Sequence, residues 1–482
     1  MWQTPLEKNE DVKWCKVLDK VHKVKKNQFM GILIKNGLIV TSTSKDISDI
    51  YISKGRITRI EPEIPFSPDD KVIDATGYYV FPGGIDPHVH MHLPSPSGYS
   101  SDDFYTGSRA ALYGGTTTLL DFVTPERGQS LTEALRLRKE EARNSFTDYS
   151  FHVSPVEWRE TTEQEVQECI REGITSFKVY MAYKDTIGLN DDDLFKVMKM
   201  VGQAGKLVTI HCESGDEIEK LRNRYFEERH FEPEYHPLSR PSSLEASAVK
   251  KAIDMANRAK CSLYIVHVSA KESLGYIVEA QERGQRVFSE TCPQYLLLDD
   301  SKYKGVFSKT AQFIMSPPLR KKEDNEALWD AISKGRINTL GTDHCPFNLP
   351  QKARGRHDFR KIPGGAGGVE FRLDLLYTYG VLTNCITINR MVDLFSTQPA
   401  KIFGMYPAKG DILVGSDADL VIWNPGPEKI ISAKTHHQNC DLNIFEGIKT
   451  KGNASCVIAR GNILIENGKL TEPETSGKFI KR

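Results

Sequence analysis

Apolar positions along this chain follow two rhythms, and the change from one to the other divides the molecule before any single residue is considered. The first is a short-strand rhythm near both ends. Gly31-Ile32-Leu33-Ile34-Lys35-Asn36-Gly37-Leu38-Ile39-Val40 reads as a strand, a turn at Asn-Gly and a second strand, and Asp49–Ile52 and Ile57–Ile60 continue the pattern. It returns in Ala418-Asp419-Leu420-Val421-Ile422-Trp423 and again from Val457 to Ile465. The two ends are expected to build one β-sandwich, which the central segment interrupts.

The second rhythm alternates β-like runs with helical patterns, as parallel α/β folds do. The runs are Tyr79–Phe81 leading into His88, Thr117–Val123, Tyr149–Val153, Ser176–Met181, Leu207–His211, Ser262–Val268, Val287–Thr291 and Asn338–Asp343. Helical stretches separate most of them: Leu131–Arg143, Gln164–Arg171, Leu194–Val201, Leu244–Ala259, Leu274–Arg283 and Asn325–Ile332. Eight strands with crossover helices predict an α/β fold, a TIM-like (β/α)8 barrel whose chemistry sits at the C-terminal ends of the strands. The expected division is a polar extension over 1–29, sandwich over 30–82, barrel over 83–405, sandwich over 406–470 and a tail over 471–482. Cys345–Gly368, rich in glycine and basic residues, reads as a loop over the active site after the last strand.

Candidate metal ligands follow the apolar runs. His88 and His90 stand in Gly-Ile-Asp-Pro-His-Val-His, Lys178 in Ser-Phe-Lys-Val-Tyr-Met-Ala-Tyr, His211 in Val-Thr-Ile-His, His267 in Tyr-Ile-Val-His and Asp343 in Leu-Gly-Thr-Asp-His. Side chains two apart project from one face of a strand, so His88 and His90 reach one cavity. A lone histidine at a strand end is more often a satisfied polar residue than a ligand, but the whole series falls in the order of one metal centre. Four imidazoles, one carboxylate and one lysine can bind two divalent cations if the lysine is carbamylated, because an ammonium would be repelled and a carbamate offers oxygen. The sequence reads as a binuclear metal hydrolase.

Composition removes other classes. Acidic and basic residues number 64 each, leaving no net field to draw nucleic acid or an anionic membrane. A small neutral or weakly charged substrate fits better. No apolar run is long enough to span a bilayer, and the first residues lack the apolar core of a secretory signal. Nine cysteines without framework spacing suit reduced thiols, so a cytoplasmic location is expected. The lysines at 20, 23, 25 and 26 lie in a stretch of low apolar content, expected to be a solvated extension rather than a targeting arm.

Longer phrases add to the Gly83–His90 motif: Asp102-Asp103-Phe104, Gly114-Gly115-Thr116-Thr117-Thr118, Glu290-Thr291-Cys292-Pro293-Gln294-Tyr295, Met315-Ser316-Pro317-Pro318-Leu319-Arg320, Gly341-Thr342-Asp343-His344-Cys345-Pro346-Phe347 and Gly410–Leu420. With these the chain resembles the dihydropyrimidinase and D-hydantoinase family of cyclic amidohydrolases over nearly all of residues 31–470. The resemblance implies hydrolysis of the cyclic amide bond of dihydropyrimidines or hydantoins by a bridging hydroxide. It implies that His88, His90 and Asp343 hold one cation and His211 and His267 the other, with carbamylated Lys178 between them and zinc as the metal. Asp343 would take the proton of the attacking water and pass it to the departing ring nitrogen. Tyr183 would donate to the oxyanion, and backbone groups at Ser316 and Gly364 would hold the ring.

Two places in the chain depart from the family. Gly364 stands where asparagine is usual, and His92, Ser95 and Pro96 stand where larger apolar or amide residues are usual. Dihydroorotase is disfavoured because His92 replaces the arginine expected to bind a substrate carboxylate. Allantoinase or another cyclic ureide hydrolase is the alternative. A non-enzymatic scaffold relative is disfavoured by retention of every ligand. Relatives commonly assemble as tetramers, so the resemblance implies a homotetramer.

Overall fold

The computed structural model describes residues 30–471 and 475–482, so the extension expected over residues 1–29 lies outside the described residues. In chain order come β1 (Ile32–Val40), β2 (Lys45–Ser53), β3 (Arg56–Glu61), β4 (Lys71–Asp74) and β5 (Tyr79–Pro82). The next eight are β6 (Gly84–Val89), β7 (Thr116–Val123), β8 (Asp148–Val153), β9 (Ser176–Tyr180), β10 (Leu207–His211), β11 (Ser262–Ile265), β12 (Val287–Thr291) and β13 (Thr339–Leu340). The last are β14 (Leu420–Ile430), β15 (Lys449–Ala459), β16 (Asn462–Glu466) and β17 (Lys469–Leu470).

Strands β6 to β13 lie side by side in sequence order, all parallel, as a (β/α)8 barrel requires. Their residues are almost all buried, β7 and β10 along their whole length, because helices cover the outside and side chains fill the inside. The predicted helices form with slightly longer bounds, for example Thr162–Arg171, Asp191–Gln203 and Ser242–Ala259. The barrel closes where β6 meets the end of β13: Asp343 N donates to His88 O at 2.9 Å and His90 N to His344 O at 2.8 Å. The closing seam is thus the backbone that carries three of the candidate ligands.

Strands from the two ends join in one nine-stranded sheet, ordered β17-β16-β15-β14-β5-β1-β2-β3, with β4 also beside β1. It wraps its own apolar cluster, including Ile34, Ile50, Ile57, Leu420 and Ile458. Two local expectations change. Tyr79–Phe81 is not the first barrel strand; it pairs with β1 and β14, and the barrel strand begins at Gly84. The switch is made at adjacent glycines: Gly83 N bonds Asp419 O in the outer sheet, and Gly84 N bonds Gly115 O in the barrel. A side chain at either would collide, with Thr117 at Gly83 and with Phe395 at Gly84. Asn36-Gly37 is not a turn. Asn36 takes φ +59° inside one continuous β1, the ladder to β2 slips there, and its N–H is held by Asp49 Oδ1 at 2.9 Å, which makes a bulge.

Residues 477–482, expected as a tail, run along β8: Tyr149 N donates to Lys478 O at 3.0 Å and Ile480 N to Tyr149 O at 2.8 Å. Beneath the barrel Lys409 Nζ sits among Asp148, Asp417 and Asp419 at 2.7, 3.3 and 2.5 Å. These three carboxylates have metal-like spacing, but the lysine ammonium already occupies them and ties barrel to sheet.

Candidate metal centre

The sequence scatters its candidate ligands over more than two hundred and fifty positions, and the barrel gathers them at one mouth. His88 Nε2 and His90 Nε2 are 3.2 Å apart, and each is 3.1 Å from Asp343 Oδ1. Such a triangle suits one cation bound at about 2.0–2.2 Å from each donor. His211 Nδ1 and His267 Nε2 face each other at 2.9 Å as a second pair. The His88 and His267 rings stack at 5.4 Å between centroids, so the two groups adjoin. The donor set fits two divalent cations.

Lys178 points into the same space from β9 and is 1 % exposed. Its Nζ lies 5.0 Å from the ring centre of Phe122 and 4.9 Å from that of Tyr180. Burial among these rings pushes its pKa down to about 8, against the opposing pull of Asp343 and Glu290. A fraction of this amine is therefore neutral near neutral pH, the form able to add carbon dioxide.

Charge at the first group is set by carboxylates. Burial disfavours a proton on His88, yet Glu290 and Asp343 outweigh it and lift its pKa to about 9. Burial likewise opposes ionisation of Asp343, but His88 and His90 hold its carboxyl well below the usual range. His211 and His267 are pushed down mainly by burial, so both present neutral nitrogens, the form that binds metal.

Three site residues hold strained backbone. Tyr183, His267 and Asp343 have φ of +60°, +38° and +53°, conformations that bulky L-residues avoid. Tyr183 is partly buried, with its ring 5.4 Å from that of His211 and the Arg240 guanidinium 5.6 Å from its face. Ser316 and Gly364 lie on neighbouring segments: a Cβ at Gly364 would be 4.0 Å from Ser316 Oγ, and Gly365 N donates to Ile314 O at 2.9 Å. Among the described residues, the backbone groups of Ser316 and Gly364 make no backbone–backbone hydrogen bond. His92 bonds Glu141 at 2.6 Å and stacks on Tyr99, while Ser95 Oγ donates to Gly98 O at 2.6 Å within the loop.

Several supporting residues escape the sequence reading. Glu290 accepts from His88 Nδ1 at 2.7 Å, from Tyr264 at 2.7 Å and from His267 N at 3.1 Å. Glu213 accepts from His211 Nε2 at 2.8 Å and from Arg240 at 2.5 Å, and Asp86 accepts from His88 N and Thr342 Oγ1 at 3.2 and 2.6 Å. Glu290 and Glu213 fix ring orientation and leave the other nitrogen for a metal, while Asp86 holds the backbone of His88. Asp86 and Glu213 each left a signal, two residues from a candidate ligand, and Glu290 opens one of the family phrases.

The amidohydrolase family profile matches residues 79–464. The chain is 42 % identical over 456 residues to a D-hydantoinase of Geobacillus stearothermophilus, covering 94 % of this chain and 97 % of that one. To a dihydropyrimidinase of Arabidopsis thaliana it is 39 % identical, covering 93 % and 85 %. The crystal structure of dihydropyrimidinase from Brevibacillus agri superposes with a TM-score of 0.92 at 40 % identity, covering 94 % and 99 %. An L-hydantoinase from Arthrobacter aurescens superposes at 0.86 with 27 % identity, covering 94 % and 100 %. The long-range gathering of the ligand series, together with likeness along nearly the whole length, means that the chain belongs to the amidohydrolase family, in its dihydropyrimidinase and D-hydantoinase branch of cyclic amidohydrolases.

Proposed function

We propose that this cyclic amidohydrolase opens small cyclic ureides, dihydropyrimidines and hydantoins, at a centre of two zinc ions. His88, His90 and Asp343 would hold one ion, His211 and His267 the other, and a carbamate on Lys178 would join them. The observation that carries this is the triangle of donors at 3.1–3.2 Å beside the facing pair at 2.9 Å. When bound, such cations polarise the scissile carbonyl and acidify the attacking water.

The chain's own residues do the rest. Asp343, ionised and at the cavity, accepts the proton of the attacking water and returns it to the departing ring nitrogen. That delivery matters because an amide anion is a poor leaving group. Tyr183 donates its hydroxyl to the carbonyl oxygen as charge develops there. The free backbone groups of Ser316 and Gly364 hold the ring. The loop at Ser95 and Pro96 presents little apolar wall, which favours unsubstituted or small rings over bulky aromatic hydantoins. By the same resemblance the assembly would be a homotetramer and the location the cytoplasm; no described helix is long and apolar enough to cross a membrane.

The test joins metal and turnover. Elemental analysis should find about two divalent cations per chain, and Lys178→Ala should lose metal and activity together. A hydrolysis panel of dihydrouracil, dihydrothymine, 5-substituted hydantoins, allantoin and dihydroorotate assigns the ring. Turnover of wild-type rate in Lys178→Ala, or active protein without transition metal, would refute the binuclear reading.

A further inference from the structure

Lys352 lies in the short helix Leu349–Ala353 and is 1 % exposed. Its Nζ donates to three backbone carbonyls, Ile314 O at 3.0 Å, Pro363 O at 2.7 Å and Gly365 O at 2.8 Å. An ammonium has three N–H donors, so its whole capacity is spent on main chain. Burial pushes its pKa down to about 7, and the carbonyl dipoles are what compensate its charge.

Those carbonyls are not scattered. Ile314 stands two residues before Ser316, and Pro363 and Gly365 flank Gly364. The carbonyl of Met315 is taken from another side by His236 Nε2 at 2.7 Å, and burial holds that imidazole neutral with its pKa down to about 3. The polar groups around the two segments are therefore consumed inside the protein. The backbone groups of Ser316 and Gly364 are left unbonded to other main chain.

We propose that Lys352 is a positioning residue for substrate: its ammonium draws the Ile314–Ser316 and Pro363–Gly365 segments together and so sets the spacing of the free backbone groups that grip the ring. It rests on the reading that Ser316 and Gly364 hold substrate. With its ammonium spent on these carbonyls, Lys352 would act on the ring only through the two segments. Without it Pro363 O and Gly365 O lose a buried partner, and the Gly364 segment, whose Gly365 takes φ +142°, is free to part from Ser316.

The test separates the proposal from the reading beneath it. Amide hydrogen exchange is followed in Asp343→Asn protein with and without saturating dihydrouracil. Protection over 314–316 and 363–366 supports the underlying reading, and its absence overturns both. Steady-state kinetics on Lys352→Met should then give KM for dihydrouracil raised about tenfold or more, kcat within about threefold and the metal content of wild type, as loss of ground-state binding predicts. Lys352→Gln, which keeps two donors, should fall between. Lys409→Met, in the clasp beneath the barrel, should lower thermal stability and leave KM unchanged. A KM within about twofold of wild type in a folded Lys352→Met protein, or equal losses in kcat and metal, would overturn the proposal. Failure of both Lys352 variants to fold would assign this lysine to the fold and overturn it too.

Discussion

His88 and Glu290, two hundred and two positions apart, meet at 2.7 Å between Nδ1 and Oε1 with both side chains sealed from solvent. With Nδ1–H donating to the carboxylate, Nε2 is turned toward His90 and Asp343, where a bound cation would take the place of its proton. One buried acid thereby fixes the tautomer and aim of a ligand it does not share a strand with. Glu290→Gln keeps the shape and removes the charge. It should weaken metal binding by about 10–100-fold, measured by competition with a chelator, because partners of metal-bound imidazoles set both orientation and basicity. Unchanged affinity would contradict this role.

Asp343 and Tyr183 should separate in a kinetic comparison. Asp343→Asn should lose most turnover while keeping at least one cation partly bound, since an amide offers oxygen but cannot carry the proton. Tyr183→Phe should keep both cations and lower kcat by roughly a hundredfold or more, the cost of one oxyanion donor. Metal content and kcat measured on the same samples decide it; near-normal rates in both variants would reject the assignments.

Ser95 lies in the loop that follows His90, with its hydroxyl spent on Gly98 O. Ser95→Phe adds apolar wall, and one such group is worth about 1–3 kcal/mol of discrimination. The ratio of kcat/KM for a phenyl hydantoin over dihydrouracil should rise accordingly. A wild-type enzyme that already strongly prefers the aromatic ring would reject this reading of the loop while leaving the metal chemistry intact.

Asp374, in the helix Arg372–Leu376, is buried with Lys429 Nζ 2.7 Å away on β14. Burial raises its carboxyl to about 6, and Lys429 offsets only part of that. A folded-state pKa above the unfolded value contributes stability that is fully present below the unfolded pKa and is lost as pH rises through the folded one. Asp374→Asn does not titrate. Its stability relative to wild type should therefore increase from about pH 5 to about pH 7.5, by on the order of 1–1.5 kcal/mol, roughly half of the whole effect, the rest falling between the unfolded pKa and pH 5. Denaturation curves at the two pH values measure this, and a constant difference would show that Asp374 does not drive it.

The barrel and the series of candidate ligands are legible along the chain itself. Parallel strands buried on both faces must be written as continuous apolar runs, and a barrel's functional residues must follow those runs, so His88, His90, Lys178, His211, His267 and Asp343 stood out in one dimension. Whatever depends on pairing between distant strands is settled only by the fold. Tyr79–Phe81 is apolar enough for either sheet, and its pairing with β1 and β14 puts it in the outer one, with the change to the barrel made at the crowded Gly83 and Gly84. Asn36-Gly37 has turn chemistry, but the partner strand β2 and the carboxylate of Asp49 make it a bulge. Glu290 lies in a family phrase and Lys352 in none, but neither shows its role along the chain, because a buried charge acquires its meaning from the groups that compensate it, and those arrive from strands and loops far away in sequence.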